Sequence, residues 1–162
     1  MKKNIFIILS VFTCLFFIGS CMTASMKSLK KNHPVYEYDV AMPDDEAVWI
    51  AFIGFGLGIV EYNGIHVDLK PRTKTSNVIL LRIPGGETQF ILDGRCQYGN
   101  IIATYNMIPF NYNFENGKLY TLNATGIYID VYVSEDINYS SIHRNYRVAR
   151  FDMAAGQRPR DF

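Results

Sequence analysis

Short runs of apolar and β-branched residues, separated by turn residues, follow one another from residue 47 to residue 133. They recur about every ten residues, and the period of an amphipathic helix is nearly absent. Strands at this spacing are typical of a β-sandwich. The pattern therefore predicts an all-β fold, an antiparallel β-sandwich over residues 44–134. The predicted strands are Ala47–Ile53, Ile59–Tyr62, Ile65–Leu69, Val78–Ile83, Thr88–Leu92, Ile101–Met107, Pro109–Phe114, Leu119–Leu122 and Ile127–Val133, with a short first strand over Val35–Val40.

Turn residues predict where the chain reverses between these strands. Asn63-Gly64 lies between two β-rich runs, and Asn116-Gly117 precedes a later one. Asn and Gly adopt the positive φ angles that a two-residue type I′ turn requires, so we expect a β-hairpin at Asn63-Gly64. Asp93-Gly94 predicts a bulge or a second turn inside its run.

The pattern changes after Ser134, and residues 135–162 are predicted to form an extension of the sandwich. Arg144, Arg147 and Arg150 are three residues apart, which would place them along one face of a helix. Around Tyr146 and Val148, apolar and polar residues alternate instead, as they do in a strand. The sequence leaves open whether residues 142–155 form a helix or an edge strand, and the last residues are expected to be a frayed tail.

The first 20 residues differ from the rest of the chain. Lys2 and Lys3 precede an apolar run over residues 5–18, and Gly19 and Ser20 follow it. The run is roughly 14 residues long, whereas a spanning helix needs about 20. The order of positive, apolar and small residues predicts a cleaved secretory signal peptide over residues 1–20. Residues 21–43 are polar and basic at first, and we expect them to form a tether.

The end of the signal segment resembles the lipobox of bacterial lipoproteins. In Ile18-Gly19-Ser20-Cys21 a branched aliphatic residue and two small residues precede a cysteine. The resemblance implies that Cys21 becomes the acylated N-terminus and anchors the protein in the lipid bilayer of a bacterial cell envelope. In lipoproteins of enteric bacteria, an Asp directly after the acylated cysteine usually keeps the protein in the inner membrane. Met22 occupies that position here, so the resemblance implies the outer membrane. The alternative is a cysteine that lies beside an ordinary signal-peptidase site.

Charge and cysteine content narrow the possible partners. Removing residues 1–20 from the 162 leaves 142 residues, the size of a single domain. Two of the 16 Lys and Arg residues leave with the signal, so 14 basic and 15 acidic side chains remain, a formal net charge of −1. This balance argues against a nucleic-acid partner, which needs a concentrated basic surface. Cys14 also leaves with the signal, and Cys21 is the predicted lipid acceptor. Cys96 then has no cysteine to pair with, and no internal disulfide is expected.

No local motif for catalysis or metal binding is visible. His33, His66 and His143 are isolated, and neither an HExxH nor a Cys-x-x-Cys sequence is present. A hydrolase would need a nucleophile, a base and oxyanion donors, and no stretch supplies that set. We therefore predict a non-enzymatic protein without a cofactor, and a hydrolase is the enzymatic alternative.

Tyr98, Tyr105, Phe110 and Tyr112 lie close along consecutive predicted strands and form the candidate contact surface. If their rings are exposed and contiguous, they offer a stacking platform for a sugar or an apolar strip for another envelope protein. If the rings are buried, an assembly or spacer role is favoured over ligand binding, because an edge strand can bind a partner through its backbone alone. We expect a binding or assembly module, with carbohydrate or small-ligand binding as the alternative.

Three segments resemble a family of small β-sandwich domains that occur in bacterial lipoproteins and are similar to PEGA-type surface domains. They are IVEYNGIHV, LLRIPGGETQFIL and NFENGKLYTL, and the match spans about Val48 to Val133. The resemblance implies an immunoglobulin-like or transthyretin-like antiparallel sandwich, with no catalytic or ligand residues to carry over. The glycine-rich stretch Gly54–Gly58 and the arginine-bearing C-terminal segment depart from the family, and a specific role is expected there.

Overall fold

The fold is known from a computed structural model, which describes residues 33, 35–38, 41–53, 56–69, 78–98, 100–135, 137, 142, 146–154 and 160–161. For residues 96–98, 101 and 160–161 the backbone alone is described. The predicted signal peptide, Cys21 and most of the predicted tether lie outside the described residues. Within the described ranges, no helix is long and apolar enough to cross a membrane.

Eleven strands make up the described regular structure. They are β1 (Val35–Glu37), β2 (Val48–Ile53), β3 (Leu57–Tyr62), β4 (Ile65–Leu69), β5 (Val78–Ile83), β6 (Gly86–Tyr98), β7 (Ile101–Phe114), β8 (Leu119–Thr125), β9 (Tyr128–Ser134), β10 (Tyr146–Asp152) and β11 (Arg160–Asp161).

The strands form two sheets around a shared core, which confirms the predicted all-β sandwich. The larger sheet has seven strands in the order β1-β5-β2-β8-β9-β10-β11, and the smaller has four in the order β4-β3-β6-β7. The smaller sheet is antiparallel throughout. The larger sheet is mixed, because β1 pairs with β5 and β2 pairs with β8 in parallel. We call the end where β5 ends and β2 begins the upper end, and the opposite end the lower end.

Both faces of the larger sheet are covered at its centre. On one face Ile50 and Leu81 belong to the core shared with the smaller sheet. On the other face Trp49 and Leu80, each fully buried, pack in a second cluster with Ile142. Strands that are buried on both faces contain nearly continuous apolar runs, and this explains why β2 and β5 read as VWIAFI and VILLRI.

Aromatic rings pack around Phe90 in the core. Phe90 is fully buried on β6. Its ring centroid lies 5.7 Å from that of Phe52, 5.6 Å from that of Tyr62 and 6.2 Å from that of Phe114. These distances are typical of edge-to-face and tilted aromatic pairs, which stabilise a core beyond the burial of their area.

The hairpin predicted at Asn63-Gly64 is confirmed. The φ angles of Asn63 and Gly64 are 47° and 79°, and the turn joins the antiparallel strands β3 and β4. Gly117 of the second Asn-Gly pair also has a positive φ, 72°. The β6–β7 register shifts between Leu92 and Gly94, where Asn106 and Met107 of β7 lie opposite Asp93 alone, so the bulge lies on β7 and not in the Asp93-Gly94 run.

The arginine-bearing C-terminal segment contains a strand where the sequence left helix and strand open. β10 pairs antiparallel with β9, and Ala149, Phe151 and Met153 contribute to the core. The sandwich therefore extends beyond Ser134, the predicted boundary. The reason is that β10 alternates, and its inward residues extend the core between the two sheets, where the ring of Phe151 lies 4.4 Å from that of Phe110 on β7.

The N-terminal boundary of the folded part also differs from the expected one. β1 lies within the predicted tether, and its pairing partner β5 holds it in the larger sheet. The buried guanidinium of Arg82 fixes the following residues, since its Nε lies 2.9 Å from Oδ1 of Asp44 and it donates a hydrogen bond to the carbonyl of Met42. Oε1 of Glu37 lies 3.9 Å from Nη1 of the same guanidinium. The chain is thus held in the domain from β1 onward.

Candidate functional site

The predicted aromatic contact surface is not an exposed platform. Phe110 is only 1% exposed, so it belongs to the core and is withdrawn from the candidate set. Tyr105 and Tyr112 are half-buried and pack against the same core. The ring of Tyr112 lies 4.9 Å from that of Phe114. The side chain of Tyr98 lies outside the described residues.

The alternation along β7 explains this outcome. Phe110, Tyr112 and Phe114 occupy one face of the strand, and Asn111 and Asn113 occupy the other. Since side chains alternate between the faces of a sheet, the apolar set faces the larger sheet and the amides face outward. Both Asn side chains are exposed, as this alternation requires.

The outward amides line a cleft on the exposed face of the smaller sheet. Its volume is about 350 Å³, and it lies across β6 and β7 beside the β3–β4 turn. Cross-strand pairing brings its side chains together, because Glu87 pairs with Asn113 and Gln89 pairs with Asn111. The lining residues are Asn63, Glu87, Thr88, Gln89, Asn111, Tyr112 and Asn113.

Two hydrogen bonds hold the β3–β4 turn at the side of the cleft. The backbone N–H of Gln89 donates to Oδ1 of Asn63 over 2.9 Å, and the backbone N–H of Asn63 donates to the carbonyl of Gln89 over 2.8 Å. Because Oδ1 of Asn63 faces the backbone of β6, the NH₂ group of the same planar amide points away from it. The Asn63-Gly64 turn therefore positions a donor as well as reversing the chain.

The cleft offers hydrogen-bond donors and acceptors. Each of its four amide side chains, Asn63, Gln89, Asn111 and Asn113, carries two N–H donors and a carbonyl acceptor. Glu87 adds a carboxylate, which only accepts when ionised. All five side chains are exposed. Such a set can bind a ligand that both donates and accepts, as hydroxyl groups do.

A second polar cluster lies on the outer face of the larger sheet. Asp130 of β9 is 1% exposed and accepts two hydrogen bonds from Arg150, over 2.6 Å from Nε and 2.8 Å from the second guanidinium nitrogen. Arg147 lies 3.6 Å from the same carboxylate. The guanidinium of Arg150 also lies 4.7 Å from the ring centre of Tyr128. The hydrogen bond to Asp130 raises the pKa of Arg150.

The Asp130 cluster joins strands rather than binding a ligand. The bidentate geometry satisfies both carboxylate oxygens and holds β10 against β9. Two of the three arginines that suggested a specific role are therefore committed to an internal ion pair, and Arg144 lies outside the described residues. Among the residues that the structure describes, no group of three His, Cys, Asp or Glu side chains could hold a metal ion.

The sequence analysis missed the cleft residues Asn63, Glu87 and Gln89. The sequence pattern places Asn63 and Glu87 in turns and Gln89 in a strand, and none of these assignments indicates a binding residue. The alternation of Asn111 and Asn113 was a usable signal for the outward face. Their partners on β6 cannot be identified by counting residues back from the β6–β7 turn, because the bulge opposite Asp93 shifts the pairing register by one residue.

Comparisons with known proteins leave the resemblance to PEGA-type domains a prediction. No protein-family model, no curated protein and no solved structure matches this chain.

Proposed function

We propose that the protein is an envelope lipoprotein, anchored in the outer membrane through acylated Cys21, and that its sandwich is a non-enzymatic binding module. The cleft on the smaller sheet binds the ligand, and the ligand class is carbohydrate. The observation that carries the proposal is the convergence of four side-chain amides and one carboxylate in a single cleft of about 350 Å³.

The chemistry of the lining favours a sugar over an apolar or a strongly charged ligand. The cleft contains no exposed apolar side chain, since Tyr112 packs against the core. It contains one charged residue, Glu87, so an anion would meet repulsion rather than a partner. Neutral amides and one carboxylate can instead form paired hydrogen bonds with neighbouring hydroxyl groups.

Removing single amides from the cleft should weaken sugar binding. We expect Gln89→Ala and Asn111→Ala each to reduce the affinity about fivefold, since a hydrogen bond contributes about 1 kcal/mol net. The measurement is an NMR titration of the full protein in detergent with a panel of soluble oligosaccharides released from cell envelopes. Asn106→Ala is the matched control, because Asn106 is an exposed amide of β7 outside the cleft lining.

Two results would contradict carbohydrate binding at this cleft. One is a loss of affinity in Asn106→Ala as large as that in the cleft variants. The other is a panel that shifts no resonance of the cleft residues.

The lipid anchor rests on the lipobox resemblance, and it predicts a simple change in solubility. Cys21→Ser should abolish acylation, because only the thiol can form the thioether to diacylglycerol. The protein should then move from the detergent phase to the aqueous phase, or remain uncleaved, while the sandwich stays folded. Phase partitioning with mass determination measures this, and Cys96→Ser serves as the control. A Cys21→Ser protein that still enters the detergent phase at the mature mass would contradict the proposed lipidation.

A protein partner bound by strand addition is the second candidate function, and the edge of the smaller sheet favours it. β4 lies at that edge, and its first residue, Ile65, is 51% exposed. The opposite edge strand, β7, carries Pro109 and the bulge near Asp93, features that hinder strand addition. Crosslinking from intact envelopes that captures one defined protein through β4 would favour this function over sugar binding.

A further inference from the structure

The β6–β7 hairpin extends beyond the other described strands at the lower end. β3 pairs with β6 only as far as Gly94, and the backbone N–H of Arg95 then donates to the carbonyl of Gly56. Beyond that point, among the residues that the structure describes, the two strands pair only with each other, to Tyr98 opposite Ile101. At about 3.3 Å per residue, the four residues after Gly94 add about 13 Å. We call the described residues 95–98 and 100–105 the hairpin tip.

The base of the hairpin tip is held tightly. A Cβ atom on Gly94 would lie 2.6 Å from the sulfur of Met153, so β6 approaches the end of β10 at van der Waals contact. At the bulge, the N–H of Met107 donates to Oδ1 of Asp93 over 3.3 Å, and Met107 has a φ of 54°. The direction in which the tip projects is therefore set by packing and by the bulge.

Apolar side chains are exposed on the tip and at its base. Ile102 is 50% exposed and Met107 is 55% exposed, two of the four large apolar side chains that are exposed in the described part of the chain. Arg95 is exposed as well, and Tyr105 is half-buried. An exposed aliphatic residue and a cation on one projecting element favour a membrane interface.

The strand nearest in sequence to the N-terminal anchor begins toward the same end. β1 is parallel to β5, and Val35 pairs with Leu80 in the lower half of that strand, so β1 runs from the lower toward the upper end. The first residue of β1 therefore lies toward the end at which the tip projects. Thirteen residues, 22–34, separate Cys21 from β1, and they span at most about 45 Å.

We propose that the hairpin tip contacts the lipid bilayer that holds Cys21, with Ile102 among the acyl chains close to the headgroups. This inference rests on the proposed lipid anchor. The tether keeps the tip within tens of ångströms of the bilayer, so even a weak contact is populated. The cleft then faces away from the membrane, because its Gln89–Asn111 pair lies five residues, about 17 Å, above Gly94 on β6.

The test places a tryptophan at the tip. The full lipidated protein carrying Ile102→Trp is reconstituted into vesicles of phosphatidylethanolamine and phosphatidylglycerol with brominated acyl chains. We expect about a twofold loss of its fluorescence, since an interfacial side chain lies about 5–10 Å deep, within reach of the bromines. The parent protein supplies the background, because its only tryptophan, Trp49, is fully buried.

Ile65→Trp is the matched control, because Ile65 is equally exposed, at 51%, but lies at the β3–β4 turn toward the upper end. Equal quenching of the two variants on vesicle-bound protein would overturn the tip contact and leave the anchor standing. Protein that does not float with the vesicles would overturn the anchor and the contact together. A concentration-dependent blue shift of Ile102→Trp in detergent would assign the tip to a second copy of the chain, and would also overturn the proposal.

Discussion

Phe90→Ala should lower the free energy of unfolding by about 4 kcal/mol. Phe90 is fully buried, and four aromatic rings surround it, those of Phe52, Tyr62, Phe110 and Phe114. The removed ring leaves a cavity between the two sheets that rigid neighbours cannot fill. In a domain of this size the loss corresponds to a decrease in Tm of roughly 10–20 °C.

Thermal unfolding followed by the fluorescence of Trp49 measures this effect, because Trp49 is fully buried in the folded protein. Phe90→Leu should cost less, since it leaves a smaller cavity. Ile102→Ala is the surface control, and its Tm should remain close to that of the parent because Ile102 is half exposed. If Phe90→Ala melts with the surface control, the packing of the two sheets around Phe90 is wrong.

Asp130→Asn should lower the free energy of unfolding by about 2–3 kcal/mol. The carboxylate is buried and accepts two charge-assisted hydrogen bonds from Arg150, which is still partly exposed. The amide cannot accept at both atoms, and it removes the negative charge that lies near both Arg147 and Arg150. The partial solvation of the two arginines keeps the loss below that of a fully buried pair.

A double-mutant cycle separates the ion pair from the other effects of the substitution. Asp130→Asn and Arg150→Met are measured singly and together by thermal unfolding, and the two losses should be clearly non-additive because they remove the same interaction. Asp45→Asn is the exposed control, for which we expect a change within about 0.5 kcal/mol. Additive losses at positions 130 and 150 would contradict the role of the pair in holding β10.

The position of β10 decides what the C-terminal arginines do. In a helix, Arg144, Arg147 and Arg150 would share one face and could bind an anion. In the strand, Arg150 lies opposite Asp130 across the β9–β10 ladder. Sequence spacing could not choose between these outcomes, because the partner carboxylate belongs to a strand some 20 residues earlier in the chain.

The amino-acid sequence by itself determined the strand content and the position of the turns. Alternation and β-propensity identify strands because each strand must present apolar side chains to a core, and Asn63-Gly64 predicts its hairpin because few residue pairs adopt two positive φ angles. The outward direction of Asn111 and Asn113 followed from the same alternation.

Only the tertiary structure decided which strands are neighbours, and the candidate site depends on that. The parallel pairing of β2 with β8, the docking of β1 on β5 and the covered outer face around Trp49 involve residues far apart in sequence. The cleft likewise needs the β6–β7 register, and the bulge opposite Asp93 changes that register. Local patterns report what each strand buries, whereas pairing and register result from the packing of the whole chain.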